Sequence, residues 1–131
     1  MSTKKILLVD DASTLLLLEQ VVLQSAGYQI LAAQDGEAGV RAALAHRPDL
    51  ILLGVDPPET PGTPETTASE VCRQLRAHEA TRAIPVLLLA FRGKDEEKIV
   101  ERGFPSGCKG CIIKPIDPNE LLSKVRSLLG D

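Results

Sequence analysis

A doubly wound α/β fold, in which crossover helices wrap a parallel sheet, is the architecture that this sequence predicts. Short aliphatic runs alternate five times with longer amphipathic segments, the rhythm of repeated strand and helix units. The runs are continuous in Ile, Leu and Val rather than alternating with polar residues, as strands covered on both faces require. A length of 131 residues suits a single domain with one core, burying about two-thirds of its unfolded surface.

The strands are expected at residues 5–9, 29–33, 50–55, 85–89 and 110–113. Helices are expected at residues 13–25, 36–46, 68–78, 95–102 and 118–129. The last is the best marked: Asp117 caps its start, Pro118 takes the first helical position and Glu120 falls three residues after the cap, a capping signature. Its Leu121, Leu122, Val125, Leu128 and Leu129 then recur at helical spacing. Thr67 with Glu70 forms a second candidate capping box, and Asp11 is placed to cap the first helix.

Residues 56–66 break this plan, because Pro57, Pro58, Pro61, Pro64 and Gly62 let neither helix nor strand run through. This Pro-rich insertion is long for a strand-to-helix loop, which is usually about 2 to 6 residues. It reads either as a tolerated surface loop or as a lid or partner-contact segment, and its Asp56, Glu59 and Glu65 would repel phosphate.

The composition is 44% hydrophobic and 25% charged, with two Phe, one Tyr and no Trp, so the core must be aliphatic. A net charge of -3 and a pI near 5.4 leave no basic footprint for nucleic acid. The apolar run from Ile6 to Val9 that follows Lys4-Lys5 is too short for a signal-peptide core or a membrane span. Three cysteines, an odd number without a secretory signal, indicate a reducing compartment and a cytoplasmic location.

In open α/β sheets ligands bind beyond the carboxyl ends of the strands. Those ends carry Asp10-Asp11, then Gly54-Val55-Asp56, Leu89-Ala90 and Lys114-Pro115. Adjacent carboxylates suit Mg²⁺, and a lysine opposite them suits phosphate. The bland alternative is that Asp10 or Asp11 simply pairs with Lys114, an arrangement that persists without catalysis because losing one buried partner costs about 3 to 5 kcal/mol.

The spacing Cys108-Lys109-Gly110-Cys111 is a CxxC, which raises thiol redox chemistry or zinc, with Cys72, His46 or His78 as further ligands. Against this, the motif enters a strand rather than a helix. The simpler reading makes Cys111 a small apolar strand residue, Cys108 a loop residue, and His46 and His78 exposed residues favourable at helix C-termini.

Ile6-Leu7-Leu8-Val9-Asp10-Asp11, Pro48-Asp49-Leu50-Ile51-Leu52-Leu53, Val71-Cys72-Arg73-Gln74-Leu75-Arg76, Ile84-Pro85-Val86 and Lys114-Pro115 stand in one order along nearly the whole chain. Together they resemble the receiver domain of two-component response regulators. The resemblance implies a flavodoxin-like five-stranded parallel sheet of order 2-1-3-4-5 with five helices. It also implies phosphorelay signalling, in which a histidine kinase donates a phosphoryl group to an aspartate ending the third strand.

At that acceptor position, six residues after Pro48, stands Gly54, which has no nucleophile. The hydroxyl residue of the family after the fourth strand is replaced by Ala90, and the switch aromatic of the fifth by Cys111. These departures imply a pseudo-receiver, not an enzyme, that works by binding a protein partner. Asp10, Asp11 and Lys114 become a vestigial pocket, needing no cofactor. A weak Mg²⁺ site through Asp10, Asp11 and the backbone carbonyl of Asp56 remains a reading that the resemblance allows.

Two rival functions stay open: a working response regulator, with Asp56 as displaced acceptor or with an engineered Gly54, and a CxxC thiol or metal sensor. Asp56 lies about 6.6 Å of strand beyond Gly54, which is far for in-line transfer. By resemblance, the partner-binding face is the surface of the helix at 95–102, the strand at 110–113 and the last helix. Glu97 and Lys98 are its candidate rim charges.

Overall fold

In the computed structural model of the chain, residues 4–10, 13–55, 68–91, 108–114 and 117–130 are described. The elements run β1 (Lys5–Val9), α1 (Ser13–Ser25), β2 (Gln29–Ala33), α2 (Gly36–His46), β3 (Leu50–Val55), α3 (Ala68–Ala77), β4 (Val86–Phe91), β5 (Cys108–Lys114) and α4 (Pro118–Leu129). The five strands form one sheet in the order β2-β1-β3-β4-β5. All its pairings are parallel, as the aliphatic runs require.

Period-two geometry splits each strand between two cores. Ile6 and Leu8 of β1, Leu50 and Leu52 of β3, Leu87 and Leu89 of β4 and Ile112 of β5 face one side, with Leu23 of α1 and Leu121, Val125 and Leu129 of α4. Leu7, Val9, Ile51, Leu53 and Leu88 face the other, with Val40 and Ala43 of α2 and Val71, Cys72 and Leu75 of α3. Each fully buried Leu or Ile contributes about 1.5–3 kcal/mol relative to exposure. Close packing goes furthest where α2 crosses β1: a β-carbon on Gly39 would stand 2.7 Å from Cγ2 of Val9.

Differences from expectation lie at element ends. β4 runs from Val86 to Phe91 rather than over 85–89, β5 begins at Cys108 and continues to Lys114, and α3 stops at Ala77. The early start of β5 has a visible cause. Its register against β4 skips Lys109, with Cys108 opposite Val86 and Gly110 opposite Leu87, so a bulge absorbs one residue. Cys108 is therefore a strand residue and not the loop residue expected. The helix expected at 95–102, the insertion at 56–66 and the Thr67 end of the second capping box lie outside the described residues.

Capping explains the helix ends. Asp117 accepts from the backbone N–H of Asn119 at 2.9 Å at the start of α4, and Gly130 closes that helix in the left-handed region, φ 75°. Asp35 does for α2 what Asp117 does for α4, accepting from Ala38 N–H at 2.8 Å. That helix ends on Arg47, which adopts φ 47° without being glycine.

Candidate functional site at the carboxyl ends of the strands

Val9 pairs in register with Ala33 on one side and with Leu53 on the other. The next residues along, Asp10 and Gly54, therefore stand side by side where β1 and β3 end. The Asp10 backbone N–H donates to Ala33 O at 3.0 Å, continuing the ladder one step beyond the strand. Its side chain turns inward, leaving the residue 3% exposed.

The carboxylate of Asp10 lies over Gly54. An added β-carbon at Gly54 would be 2.8 Å from Asp10 Cγ, 3.0 Å from Oδ2 and 3.1 Å from Oδ1. Gly54 is paired with Leu89, and the line of strand ends continues through Val55 opposite Ala90 and Ala90 opposite Ile113. Lys114 ends β5 opposite Phe91. Lys114, Ala90 and Cys111 are placed by their backbones alone. The backbones of β1 and β5 are separated by β3 and β4, about 14 Å at the usual strand spacing. Asp11, Asp56, Glu97 and Lys98 lie outside the described residues.

What this arrangement can do chemically follows from its donors. Position 54 offers no carboxylate to attack phosphorus. Among the described residues the site contributes one carboxylate, that of Asp10, and the other ligands of the Mg²⁺ reading, Asp11 and Asp56, lie outside them.

The CxxC motif is resolved differently from its sequence reading. With Lys109 skipped, Cys111 takes the register position opposite Leu88, while Cys108 packs against the core cluster that holds Cys72 and Leu88. Cys72 is 1% exposed; burial, reinforced by the nearby Cys108 thiol, pushes its pKa up to about 11. Burial also raises Cys108, whose Sγ donates to Gly110 O at 3.1 Å. Thiols held in the protonated form are poor nucleophiles. His46 and His78 are exposed, and among the described residues no group of three or more His, Cys, Asp or Glu comes together to hold a metal.

Two acids acquire roles that the sequence reading did not assign, and a third is buried. Asp35 caps α2; a capping residue ahead of Gly36 was the available signal. Asp49 accepts from the Lys5 backbone N–H at 2.8 Å, tying the β3 entrance to the start of β1. Glu19 is buried within α1, 1% exposed, and its isolation in the run Leu15-Leu16-Leu17-Leu18-Glu19 was the only hint.

Among the described residues no helix is long and apolar enough to cross a membrane. The profile of the response regulator receiver domain matches residues 6–126. The chain is 38% identical over 125 residues to the DNA-binding dual master transcriptional regulator RpaA of Synechocystis, covering 95% of this chain and 48% of that protein. It thus spans about half the length of the first curated relatives that it matches. It is 32% identical over 130 residues to the polar-differentiation response regulator DivK of Brucella ovis, covering 98% of both. Among solved structures, the receiver domain of the sensor histidine kinase PA1611 of Pseudomonas aeruginosa, which has a magnesium ion coordinated in its active site cleft, superposes with a TM-score of 0.81 at 25% identity, covering 99% of this chain and 100% of that one. With its sheet order, its strand-end aspartate and this match along nearly its full length, the chain belongs to the response regulator receiver domain family of two-component signalling.

Proposed function

We propose that this receiver domain is a pseudo-receiver: a module of a two-component phosphorelay that is not itself phosphorylated, is not an enzyme, and acts through contact with a protein partner. The observation that carries this reading is Gly54 at the acceptor position, lying under the Asp10 carboxylate. An acyl phosphate needs a carboxylate nucleophile at that point, and the space beside it is already taken by the Asp10 side chain. Ala90 and Cys111, at the family's hydroxyl and aromatic positions, support the same reading, because phosphorylation would have no ordinary route to a conformational change.

By the family resemblance, the partner face comprises residues 95–102, β5 and α4, with Glu97 and Lys98 as rim charges for association rate and apolar neighbours for residence. The partner is a protein of the signalling pathway, and the acidic balance of the chain speaks against nucleic acid.

Incubation with a small phosphodonor and Mg²⁺, followed by intact mass, tests the reading. No added phosphoryl group is expected. A hydroxylamine-sensitive gain of one phosphoryl group would overturn it, and loss of that gain in Asp56→Asn would move the acceptor to Asp56.

A further inference from the structure

We infer that Asp10 is an internal plug of the acceptor position: its carboxylate and any side chain at residue 54 compete for one space, so Gly54 and the inward seat of Asp10 form a single packing solution. The inference rests on residue 54 being the acceptor position, as proposed above. It adds that the position is filled by the chain itself, so an incoming group would first have to expel Asp10.

The geometry is specific. All three terminal atoms of Asp10, at 2.8, 3.0 and 3.1 Å, crowd the point where a β-carbon of residue 54 would be, so the carboxylate occupies the space that a side chain there would enter. Non-bonded carbons rest about 3.5–4.0 Å apart; even a methyl group at 54 therefore requires the carboxylate to withdraw. The backbone gives little freedom for this. Asp10 is tied by its N–H to Ala33 O, and the preceding residue is fixed in register with both neighbouring strands. Withdrawal must come from side-chain rotation, out of a seat that leaves Asp10 3% exposed. Replacing Gly54 with a larger residue is consequently not a local change, because it unseats the acid on the adjacent strand.

A double-mutant cycle in urea on the full chain tests this, using Gly54→Ala, Asp10→Ala and the pair. Gly54→Ala alone should raise the unfolding equilibrium constant, whereas in the Asp10→Ala background it should be neutral or lower it, because the methyl then enters vacated space and restricts the unfolded chain. The coupling should be roughly tenfold, the range for residues in direct contact. Whatever else Asp10 contacts cancels in the cycle. Effects that multiply independently would overturn the inference. If Asp10→Ala fails to fold, Asp10→Ser completes the cycle. A second readout needs only one variant: the Asp10 side-chain carboxyl ¹³C resonance should move in Gly54→Ala, and an unmoved resonance would overturn the plug. Phosphoryl uptake by the unmodified protein would defeat the pseudo-receiver proposal and leave the coupling standing. An additive cycle would defeat the plug alone.

Discussion

The Asp10 carboxylate fills the space beside Gly54, close enough that a β-carbon on the glycine would stand 2.8 Å from Asp10 Cγ. Two residues that are far apart in sequence thus share one small volume at the ends of adjacent parallel strands. A nucleophile cannot be restored there in isolation. Gly54→Asp should be insufficient for switching, since Ala90 supplies no hydroxyl to follow a phosphoryl group and Cys111 no aromatic ring to move with it. Amide NMR shifts of that variant, after phosphodonor and Mg²⁺, should stay near β1 and β3. Shifts spreading through β4 and α4 would show that the relay had survived.

Gly39 touches Val9 across the interface of α2 with β1, with a 2.7 Å approach to Cγ2 for any added β-carbon. Alanine ordinarily favours a helix over glycine by about 1 kcal/mol, but here the methyl meets a β-branched side chain that is stiff at χ1. Gly39→Ala should therefore destabilise by about 1–3 kcal/mol, the usual cost of overpacking. Val9→Ala in the same chain should relieve part of it, as measured by chemical unfolding.

Arg47 closes α2 in the left-handed region at φ 47°, where an L-residue costs about 1–2 kcal/mol and glycine does not. The greater freedom of glycine in the unfolded chain offsets part of this gain. Arg47→Gly should raise stability by about 0.5–1 kcal/mol. A lower melting temperature would mean that the Arg47 side chain contributes more than its backbone costs.

Cys72 should be silent to thiol reagents at pH 8, because burial and the neighbouring Cys108 thiol push it up to about 11. A thiol that ionises less readily when folded contributes stability that is fully present below its ordinary pKa of 9.0 and is lost as pH rises from there through about 11. Unfolding midpoints should therefore fall over that window in the unmodified protein and fall less in Cys72→Ala. That variant should itself cost about 1 kcal/mol at neutral pH, for one buried group of methylene size. Rapid modification of Cys72 at pH 8 would contradict this.

Exchanging the charges of Glu97 and Lys98 should weaken partner capture at low salt, because rim charges govern encounter more than residence. A matched variant of residues 59–65 provides the contrast. Loss of binding only in the loop variant would move the partner site to the insertion.

The amino-acid sequence alone determined the fold class and most element positions, for a physical reason. Continuous Ile, Leu and Val runs such as 6–9 and 50–53 are stable only when covered on both faces, and the caps at Asp117 and Gly130 act within one turn of chain. The glycine on which the proposed loss of the acceptor rests was also legible, since it is a matter of residue type at a fixed offset from Pro48. Contacts between distant segments were not. The bulge that skips Lys109 and draws Cys108 into β5 depends on the β4 register, and the raised thiol of Cys72 depends first on burial in the packed core and then on Cys108, 36 positions away. The tertiary structure alone turned Asp10 inward onto Gly54. Each residue is unremarkable in its own strand, and only the parallel pairing of Val9 with Leu53 brings the carboxylate over the space that glycine leaves.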